Sequence, residues 1–390
     1  MRTNLFPAIL LAGGPNCGKS VLSYLLTQEL RKKRVQHYLL RTAPDGEGDW
    51  FLAGNSLSVR NLRMENKCQY SDELIDHMRQ AIQNRQLPML VDIGGKPRDN
   101  QFDILGACTH YILLYKTPDE RREWQAEMTR LDLLPIAELR SSLTKTESVT
   151  WTSEGLDGVI SGLVRAQPQI GETFQALLTQ VEGICQYDPL QLEQEHIRDA
   201  PYPLVVEREL ARLVQTDPQP NPWWQPSDLP KLLEAVPAGN SLALYGRGPV
   251  WLAAALAVHA MPAPCAVFDA RYGWLEVPTC IQGETKFLEV QIQAAHDQLF
   301  DWIKVKITNL ILTPQTPLAL PDLTGERGVI LSGKLPRWLF AALAKKLGEA
   351  RPWVAIHVPA FAMAIVIFSR NVERQIGDLL ELRVEGQAEG

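Results

Sequence analysis

The octapeptide GGPNCGKS, which begins at residue 13, constrains the fold of this chain more than any other segment. It matches the pattern G-x-x-x-x-G-K-[ST], follows the apolar run FPAILLAG and opens the amphipathic stretch KSVLSYLLTQELRKK. That order predicts a buried strand, a glycine-rich loop whose backbone N–H groups converge on phosphate oxygens, and a helix whose N-terminus adds positive potential. We therefore expect an α/β sheet that binds a nucleotide at the end of its first strand.

The loop supplies the residues that we expect to bind ATP and its Mg²⁺. The Lys19 ammonium can reach the β- and γ-phosphates, and the Ser20 hydroxyl can ligate the cation. The alternative is a degenerate loop that still folds but binds no nucleotide. The predicted nucleotide-binding residues of the loop are Gly13, Asn16, Cys17, Gly18, Lys19 and Ser20.

Strand-like and helix-like segments alternate up to about residue 184. The apolar runs VQHYLLR, LPMLVDIG and HYILLYK predict buried strands, and SDELIDHMRQAIQNRQ predicts a helix that Ser71 can cap. Strands that alternate with helices indicate a parallel, doubly wound sheet. Residues 1–184 are therefore predicted to form a doubly wound P-loop NTPase domain.

Acidic residues follow two of these strands. Asp92 ends the apolar run, where a second Mg²⁺ ligand usually stands; a cap on the next turn is the alternative. Asp45, Glu47 and Asp49 lie on RTAPDGEGDW, after VQHYLLR, at the edge where doubly wound folds bind ligands. These carboxylates, Asp45 and Glu47 first among them, are predicted to activate a hydroxyl or hold a metal, unless they form a solvated acidic turn.

The stretch TPDERREWQAEMTR after a later strand carries Arg121, Arg122 and Arg130. These arginines could clamp a transferring phosphate, with Arg122 as a candidate ATP contact, or form a charged helix face.

The layout of residues 1–184 resembles P-loop nucleoside and polynucleotide kinases more than ring-forming AAA motors. The resemblance implies phosphoryl transfer to a nucleotide or linear oligoadenylate hydroxyl, while ATP hydrolysis and simple binding stay open.

Composition excludes several classes of protein. The 390 residues are 45% apolar and 22% charged with a net charge of −6, so we expect two or three globular domains and no long nucleic acid as partner. The six cysteines lack zinc-site spacing, which favours free thiols in a reducing cytoplasm. No apolar run reaches the roughly 18 residues that span a bilayer, so we expect a cytoplasmic protein without a membrane partner.

A second constraint is an internal repeat in the C-terminal half. The stretch GNSLALYGRGPVWLAAALAVHA at 239–260 returns as RGVILSGKLPRWLFAALAKKL at 327–347, with Gly246 aligned to Gly333, 87 residues later. Each copy predicts a strand, a glycine turn, a helix and another strand. We therefore predict two tandem small α/β domains, copy one at 202–282 and copy two at 283–386.

The repeated unit resembles the CRISPR-associated ring nucleases of the Csx-three family, whose cores carry a G-R-G-P-x-W-L turn and a strand that ends in D-P-R. Copy one has LYGRGPVWL and FDAR, and IGDLLEL near the end of copy two matches a closing strand of the family. The resemblance implies that the protein binds and linearises cyclic tetra-adenylate, the second messenger of type III CRISPR defence, and uses Mn²⁺. Some members of that family are fused to an ATPase-like domain.

The family pattern carries over residue by residue. Asp269 and Arg271 match the D-x-R step and are the predicted catalytic residues of copy one. His259 is a third candidate, because it lies two residues before Met261, which stands where the family has a functional histidine. The predicted substrate-binding residues are Gly246, Arg247, Gly248 and Pro249, together with Lys334, which aligns with Arg247 in copy two.

Elementary chemistry is compatible with this role. Glycine N–H groups at a helix start and the guanidinium groups of Arg247 and Arg271 suit phosphate oxygens. Asp269 could hold a metal ion or activate a 2′-hydroxyl. The alternative is that the glycines only shape the turn and that Asp269 and Arg271 form a surface ion pair.

Copy two departs from the pattern, since Ile356 and Val358 stand where copy one has Asp269 and Arg271. Copy two is therefore predicted to be degenerate, and to shape the site or to bind without cleaving. A symmetric ring suits a receptor that presents one element twice, which a tandem repeat or a homo-oligomer provides. Because the histidine of the family is missing, an ATP-gated sensor that does not cleave is the alternative function.

Overall fold

The computed structural model of the protein describes residues 6–42, 71–94, 97, 99–144, 146–164, 170–215, 224–284, 287–295, 299–308, 312–313, 315–359 and 363–382. The chain divides into two compact units. Unit one comprises Met1–Glu195 and Ala270–Gly273, and unit two comprises His196–Asp269 and Trp274–Gly390. Both units are mixed α/β structures with parallel strands, which confirms this part of the predicted fold class. The domain boundaries inferred from the sequence stay predictions.

Strands and helices alternate through the described part of unit one. Its elements are β1 (Ala8–Gly13), α1 (Lys19–Lys32), β2 (Tyr38–Arg41), α2 (Asp72–Gln83), β3 (Met89–Asp92), α3 (Phe102–Leu105), β4 (His110–Tyr115), α4 (Pro118–Arg130), β5 (Leu134–Ser142), β6 (Ser148–Thr152), β7 (Gly155–Ser161) and α5 (Glu172–Cys185). Helix α6 (Pro189–Ile197) follows them. A one-turn 3-10 helix at Asp99–Gln101 precedes α3.

The strands of unit one form one seven-stranded sheet in the order β2-β3-β1-β4-β5-β7-β6. Its described strand pairs are parallel except for β6, which runs antiparallel to β7. Strand β1 has every residue buried, as expected for a parallel strand covered on both faces. Its carboxyl end therefore lies between the carboxyl ends of β3 and β4, and that arrangement positions the site of unit one.

Two helix starts show how the sequence fixes these elements. The Ser71 side chain accepts a hydrogen bond from the Leu74 backbone N–H at the start of α2, which confirms the predicted cap. Helix α4 begins after Thr117, whose side chain and that of Glu120 form a reciprocal capping box. Helix α1 packs its leucine face on the sheet, in a core that also includes Phe174 of α5.

Unit two contains the remaining described α-helices and strands, except that Gly273 at the start of β11 belongs to unit one. They are β8 (Leu204–Val206), α7 (Glu207–Val214), α8 (Leu229–Glu234), β9 (Leu242–Tyr245), α9 (Val250–His259), β10 (Cys265–Asp269), β11 (Gly273–Glu276), β12 (Cys280–Gln282), β13 (Leu288–Ala294), β14 (Phe300–Ile307), β15 (Leu318–Leu320), β16 (Gly328–Gly333), α10 (Arg337–Ala350), β17 (Trp353–Val358), β18 (Met363–Ser369) and β19 (Leu379–Glu381). They form sheets in the orders β11-β10-β9-β8, β12-β15 and β13-β14-β16-β17-β18-β19.

The two repeat copies adopt the same local structure. In copy one, β9 and β10 are parallel neighbours joined by α9; in copy two, β16 and β17 are parallel neighbours joined by α10. Both helices begin after a proline in the extended conformation, Pro249 at φ −64° and Pro336 at φ −65°. Helices α9 and α10 pack against each other. Within the described ranges, no helix has the length and apolar character needed to cross a membrane.

Candidate functional site

The predicted phosphate loop of unit one connects β1 to α1 and depends on glycine at two positions. Gly13 has φ +133° and Gly18 has φ +95°, which non-glycine residues rarely adopt. A Cβ atom on Gly13 would clash with the carbonyl oxygen of Leu114, and one on Gly18 would lie 2.8 Å from Leu163. Asn16 also has positive φ, at 56°. The loop backbone therefore follows a path that requires glycine at Gly13 and Gly18.

Lys19 begins α1 and turns its ammonium back into the loop. Its Nζ atom donates to the carbonyl oxygens of Gly13 at 2.6 Å and Gly14 at 2.7 Å. The side chain is buried, and this burial lowers the pKa of Lys19. Cys17 is buried beside it, donates its thiol to the Gly14 carbonyl, and has a pKa raised by burial. A buried cation inside a glycine loop is suited to an incoming phosphate anion.

The predicted Mg²⁺ ligands Ser20 and Asp92 are close together, with Arg41 between them. The register pairs Leu11 of β1 with Asp92, which places this carboxylate beside the phosphate loop. One guanidinium nitrogen of Arg41 lies 3.3 Å from Ser20 Oγ and 3.0 Å from Asp92 Oδ2. A hydroxyl and a carboxylate are oxygen ligands that Mg²⁺ accepts, so the residues fit the ion, and Arg41 would compete with it for both oxygens.

Lys116 is a residue of this site that the sequence interpretation missed. It directly follows β4, and its Nζ atom donates to the Pro15 carbonyl in the loop at 3.1 Å. The side chain is exposed, unlike that of Lys19. The sequence feature that could have identified Lys116 is its position directly after β4. This strand neighbours β1, and side chains at its carboxyl end can reach the loop. Lys116 thus adds a second ammonium at the rim of the loop.

Two of the three arginines on α4 pair within their own helix, and the third pairs with the sheet. Arg121 pairs with Glu138 and Asp157 on the sheet. Arg122 pairs with Asp119, and Arg130 pairs with Glu127; both arginine side chains are largely exposed. These described contacts do not connect Arg122 with the phosphate loop. The predicted acidic residues Asp45, Glu47 and Asp49 lie outside the described residues.

The predicted phosphate-binding turn of copy one holds a carboxylate of the chain itself. Glu207, the first residue of α7, is 2% exposed, and its Oε2 atom accepts a hydrogen bond from the Gly248 backbone N–H. Gly246 has φ +151°, and a Cβ on it would clash with the Glu207 side chain. The sequence predicted that this turn attracts an anion, and the anion at Gly248 is Glu207.

Copy two contributes an arginine to this same turn. Arg337, the first residue of α10, pairs with the Glu207 carboxylate and donates to the Gly246 carbonyl at 2.5 Å. Its Nε atom is buried without a hydrogen-bond partner among the described residues. Because α9 and α10 pack side by side, the starts of both helices meet here, and the two copies share one ionic contact.

The other predicted residues of copy one lie in different places. Pro249 directly precedes α9, and Arg247 is exposed in the turn. His259 ends the same helix, roughly 14 Å along it by the usual helical rise, and its Nε2 atom lies 2.7 Å from the Val236 carbonyl oxygen. The structure therefore does not bring His259 to the turn.

The D-x-R step spans both units. Asp269 ends β10 in unit two and is half-buried. Arg271 groups with unit one, is 6% exposed, and places its guanidinium 5.8 Å from the ring centre of Tyr38 and 5.1 Å from that of Tyr272. No group of three or more His, Cys, Asp or Glu side chains within the described ranges is arranged to hold a metal ion. Mn²⁺ at Asp269 stays a prediction.

Comparison with protein families gives one finding for this chain. Residues 307–381 match the family model described as CRISPR-associated protein (Cas_csx3). The matched segment contains β16, α10, β17, β18 and β19, so it covers the repeat core of copy two. The chain therefore carries a CRISPR-associated, Csx3-like domain in this segment. No curated protein matches the chain.

Proposed function

We propose that the protein is an accessory protein of type III CRISPR defence, that unit two binds cyclic tetra-adenylate and cleaves it, and that unit one binds ATP–Mg²⁺. The observation that supports the first part is the family match over residues 307–381, together with the same strand–turn–helix structure in copy one. A cyclic tetranucleotide repeats its phosphates around a ring. Two copies of one turn, brought together by α9 and α10, suit such a ligand.

For unit one, the loop geometry supports nucleotide binding. The loop amides and Lys19 would hold the phosphates, and Ser20 and Asp92 would hold Mg²⁺ once Arg41 leaves these oxygens. Bound ATP would supply a phosphoryl group or the free energy of its hydrolysis. Lys116 would add positive charge at the rim.

The decisive experiment is incubation of the full chain with cyclic tetra-adenylate, with and without ATP–Mg²⁺, followed by mass analysis of the products. Linear adenylates are the expected products. If the ring binds the protein but stays intact, the protein is a sensor and not a nuclease. An intact ring with no binding by calorimetry would contradict the proposed ligand.

A kinase is the second candidate for unit one. The observation in its favour is that the strand bearing Asp92 is the direct neighbour of the loop strand, so Mg²⁺ and the phosphates would meet at one edge. With γ-labelled ATP, a kinase transfers the label to a linear oligoadenylate or another nucleotide. Label that appears as free phosphate across a broad acceptor panel excludes the kinase and leaves an ATPase.

A non-cleaving sensor is the third candidate, and the position of His259 favours it. The structure does not bring this histidine to the copy-one turn, because it ends α9 and lies against the Val236 carbonyl. The product analysis above separates this candidate from the nuclease, since a sensor binds the ring and returns it unchanged.

A further inference from the structure

A hydroxyl–imidazole pair lies at the carboxyl edge of the copy-two sheet. Ser332, the residue before the turn glycine, has its Oγ atom 2.9 Å from the Nδ1 atom of His357 on the neighbouring strand. The register pairs Leu331 with Ile356, so Ser332 and His357 follow side by side on parallel strands. Both side chains are half-buried. This edge is where parallel α/β sheets place their ligand sites.

Strand β14 adds an aromatic ring and a charge to this pair. Its Lys304 is paired with Ser332 in the parallel ladder. The ring of Trp302 meets the His357 ring edge-on, with 5.1 Å between centroids, and the Lys304 ammonium lies 5.6 Å from the centroid of Trp302. From β18, the residue paired with His357 is Ala364, which carries no charge.

The surroundings of the imidazole favour its neutral form. Burial lowers the pKa of His357 below its ordinary value of 6.5, and the nearby Lys304 ammonium lowers it further. A neutral imidazole has a lone pair that can accept a proton. The adjacent ammonium can stabilise a phosphate or its developing negative charge.

A hydroxyl–imidazole pair also lies beside the turn of copy one, but its histidine comes from a different position of the chain. Tyr245, at the repeat position of Ser332, has its hydroxyl 2.9 Å from His196 Nδ1. His196 is 5% exposed and stacks on Phe268 with centroids 4.4 Å apart, so this pair is part of a packed aromatic cluster. The pair of copy two instead lies beside an exposed lysine.

The turns of the two copies also differ in charge. In copy one, Val206 pairs with Tyr245, so the next residue, Glu207, stands opposite Gly246. In copy two, Val305 stands opposite Gly333, which is the counterpart of Gly246. The position that holds a carboxylate in copy one is therefore apolar in copy two, and no anion from this strand opposes a phosphate there.

We propose that copy two carries the phosphodiester-cleaving site, with His357 as the general base, Ser332 as its positioning residue and Lys304 as the phosphate contact. This inference rests on the proposed function of unit two. His357 Nδ1–H donates to Ser332 Oγ, and Nε2 takes the proton of a ribose 2′-hydroxyl. The O2′–P bond forms and the P–O5′ bond breaks; the departing 5′-oxygen takes a proton from water. The product carries a 2′,3′-cyclic phosphate and a 5′-hydroxyl.

The test compares His357→Gln and Ser332→Ala with Tyr245→Phe, the matched change at the copy-one position. Cleavage and binding of cyclic tetra-adenylate are measured on the full chain. We expect His357→Gln to lower kcat about 10²–10⁴-fold, the usual contribution of a general base, with little change in ring affinity. Ser332→Ala should lower kcat less, Ser332→Thr should restore it, and Tyr245→Phe should leave it within about twofold of wild type.

Two further readouts separate a base from a structural residue. The wild-type rate should rise with pH with a midpoint below 6.5, and His357→Gln should lose this acidic limb. In His357→Ala, added imidazole should restore part of the rate. A merely structural role predicts neither effect.

Three outcomes overturn the inference. Wild-type rates in His357→Gln, with loss of cleavage in Asp269→Ala, would place the chemistry in copy one and leave the proposed function intact. Products with a 5′-phosphate would exclude attack by the 2′-hydroxyl. Absence of cleavage in the wild-type chain would refute both the nuclease function and this site.

Discussion

Replacing Arg337 by alanine tests whether the two copies are held together by one ionic contact. The guanidinium pairs with Glu207 and donates to the Gly246 carbonyl, and the Glu207 side chain is 3% exposed. Without the guanidinium, the buried Glu207 carboxylate keeps the Gly248 N–H as its described partner. Breaking a buried pair from one side costs about 3–5 kcal/mol. Because the Arg337 side chain is 20% exposed, we expect the lower end, about 3 kcal/mol.

The assay is differential scanning calorimetry of the full chain, which follows the transition of unit two. For a unit of this size a loss of 1 kcal/mol lowers Tm by about 2–4 °C, so Arg337→Ala should lower it by roughly 6–12 °C. Arg212→Ala is the control, since Arg212 and Glu209 form a pair whose side chains are 54% and 49% exposed. An exposed pair is worth at most about 1 kcal/mol.

A shift for Arg337→Ala no larger than that for Arg212→Ala would refute the reasoning. A double variant sharpens the test, because Glu207→Ala also removes the carboxylate that Arg337 leaves behind. The combined variant should be more stable than the sum of the two single losses implies. Strict additivity would mean that the two side chains do not interact in solution.

Three further changes have expected outcomes. Lys19→Ala should weaken ATP binding roughly 10- to 150-fold, since hydrogen bonds from a charged group are worth about 1.5–3 kcal/mol, and calorimetry that finds unchanged affinity would contradict the nucleotide site. Arg41→Gln should lower the Mg²⁺ concentration that half-saturates ATP binding, because a competing cation is removed; an unchanged midpoint would mean that Arg41 and Mg²⁺ do not compete. Gly248→Ala should lower Tm, since its Cβ would lie 2.7 Å from Glu207 Oε2, whereas Gly183→Ala in α5, with no atom within 4 Å of its Cβ, should raise it slightly.

The mixed α/β fold with parallel strands could be predicted because local patterns determine it. A strand that runs into a glycine loop and a helix has one common arrangement, and parallel strands end at one edge of a sheet. That edge brings Asp92 next to Ser20, as the sequence suggested. The same reasoning did not find Arg41 between them, because its guanidinium reaches the site along a long, flexible side chain that no spacing rule describes.

The contact between Glu207 and Arg337 could not be predicted, for a different reason. The two residues are 130 positions apart and meet because Glu207 contacts the turn before α9, and α9 packs beside α10. The repeat indicates that both helices exist, but not which side chains face each other. Glu207 also had no motif around it, since a lone glutamate at a helix start more often interacts with the helix dipole.

The duplication explains how one scaffold can hold two turns with different charged neighbours. The chain segment next to each turn places one side chain opposite the turn glycine, and the two copies differ in this side chain. In copy one it is Glu207, which accepts from the Gly248 N–H and holds Arg337; in copy two it is Val305, beside the exposed Lys334. Under the proposal above, a phosphate would meet no carboxylate at this position of copy two, whereas in copy one it would meet the pair of Glu207 and Arg337. Copy one would then fix the start of α10 through this pair, and the residues that vary between the copies, not the shared turn, would assign the two roles.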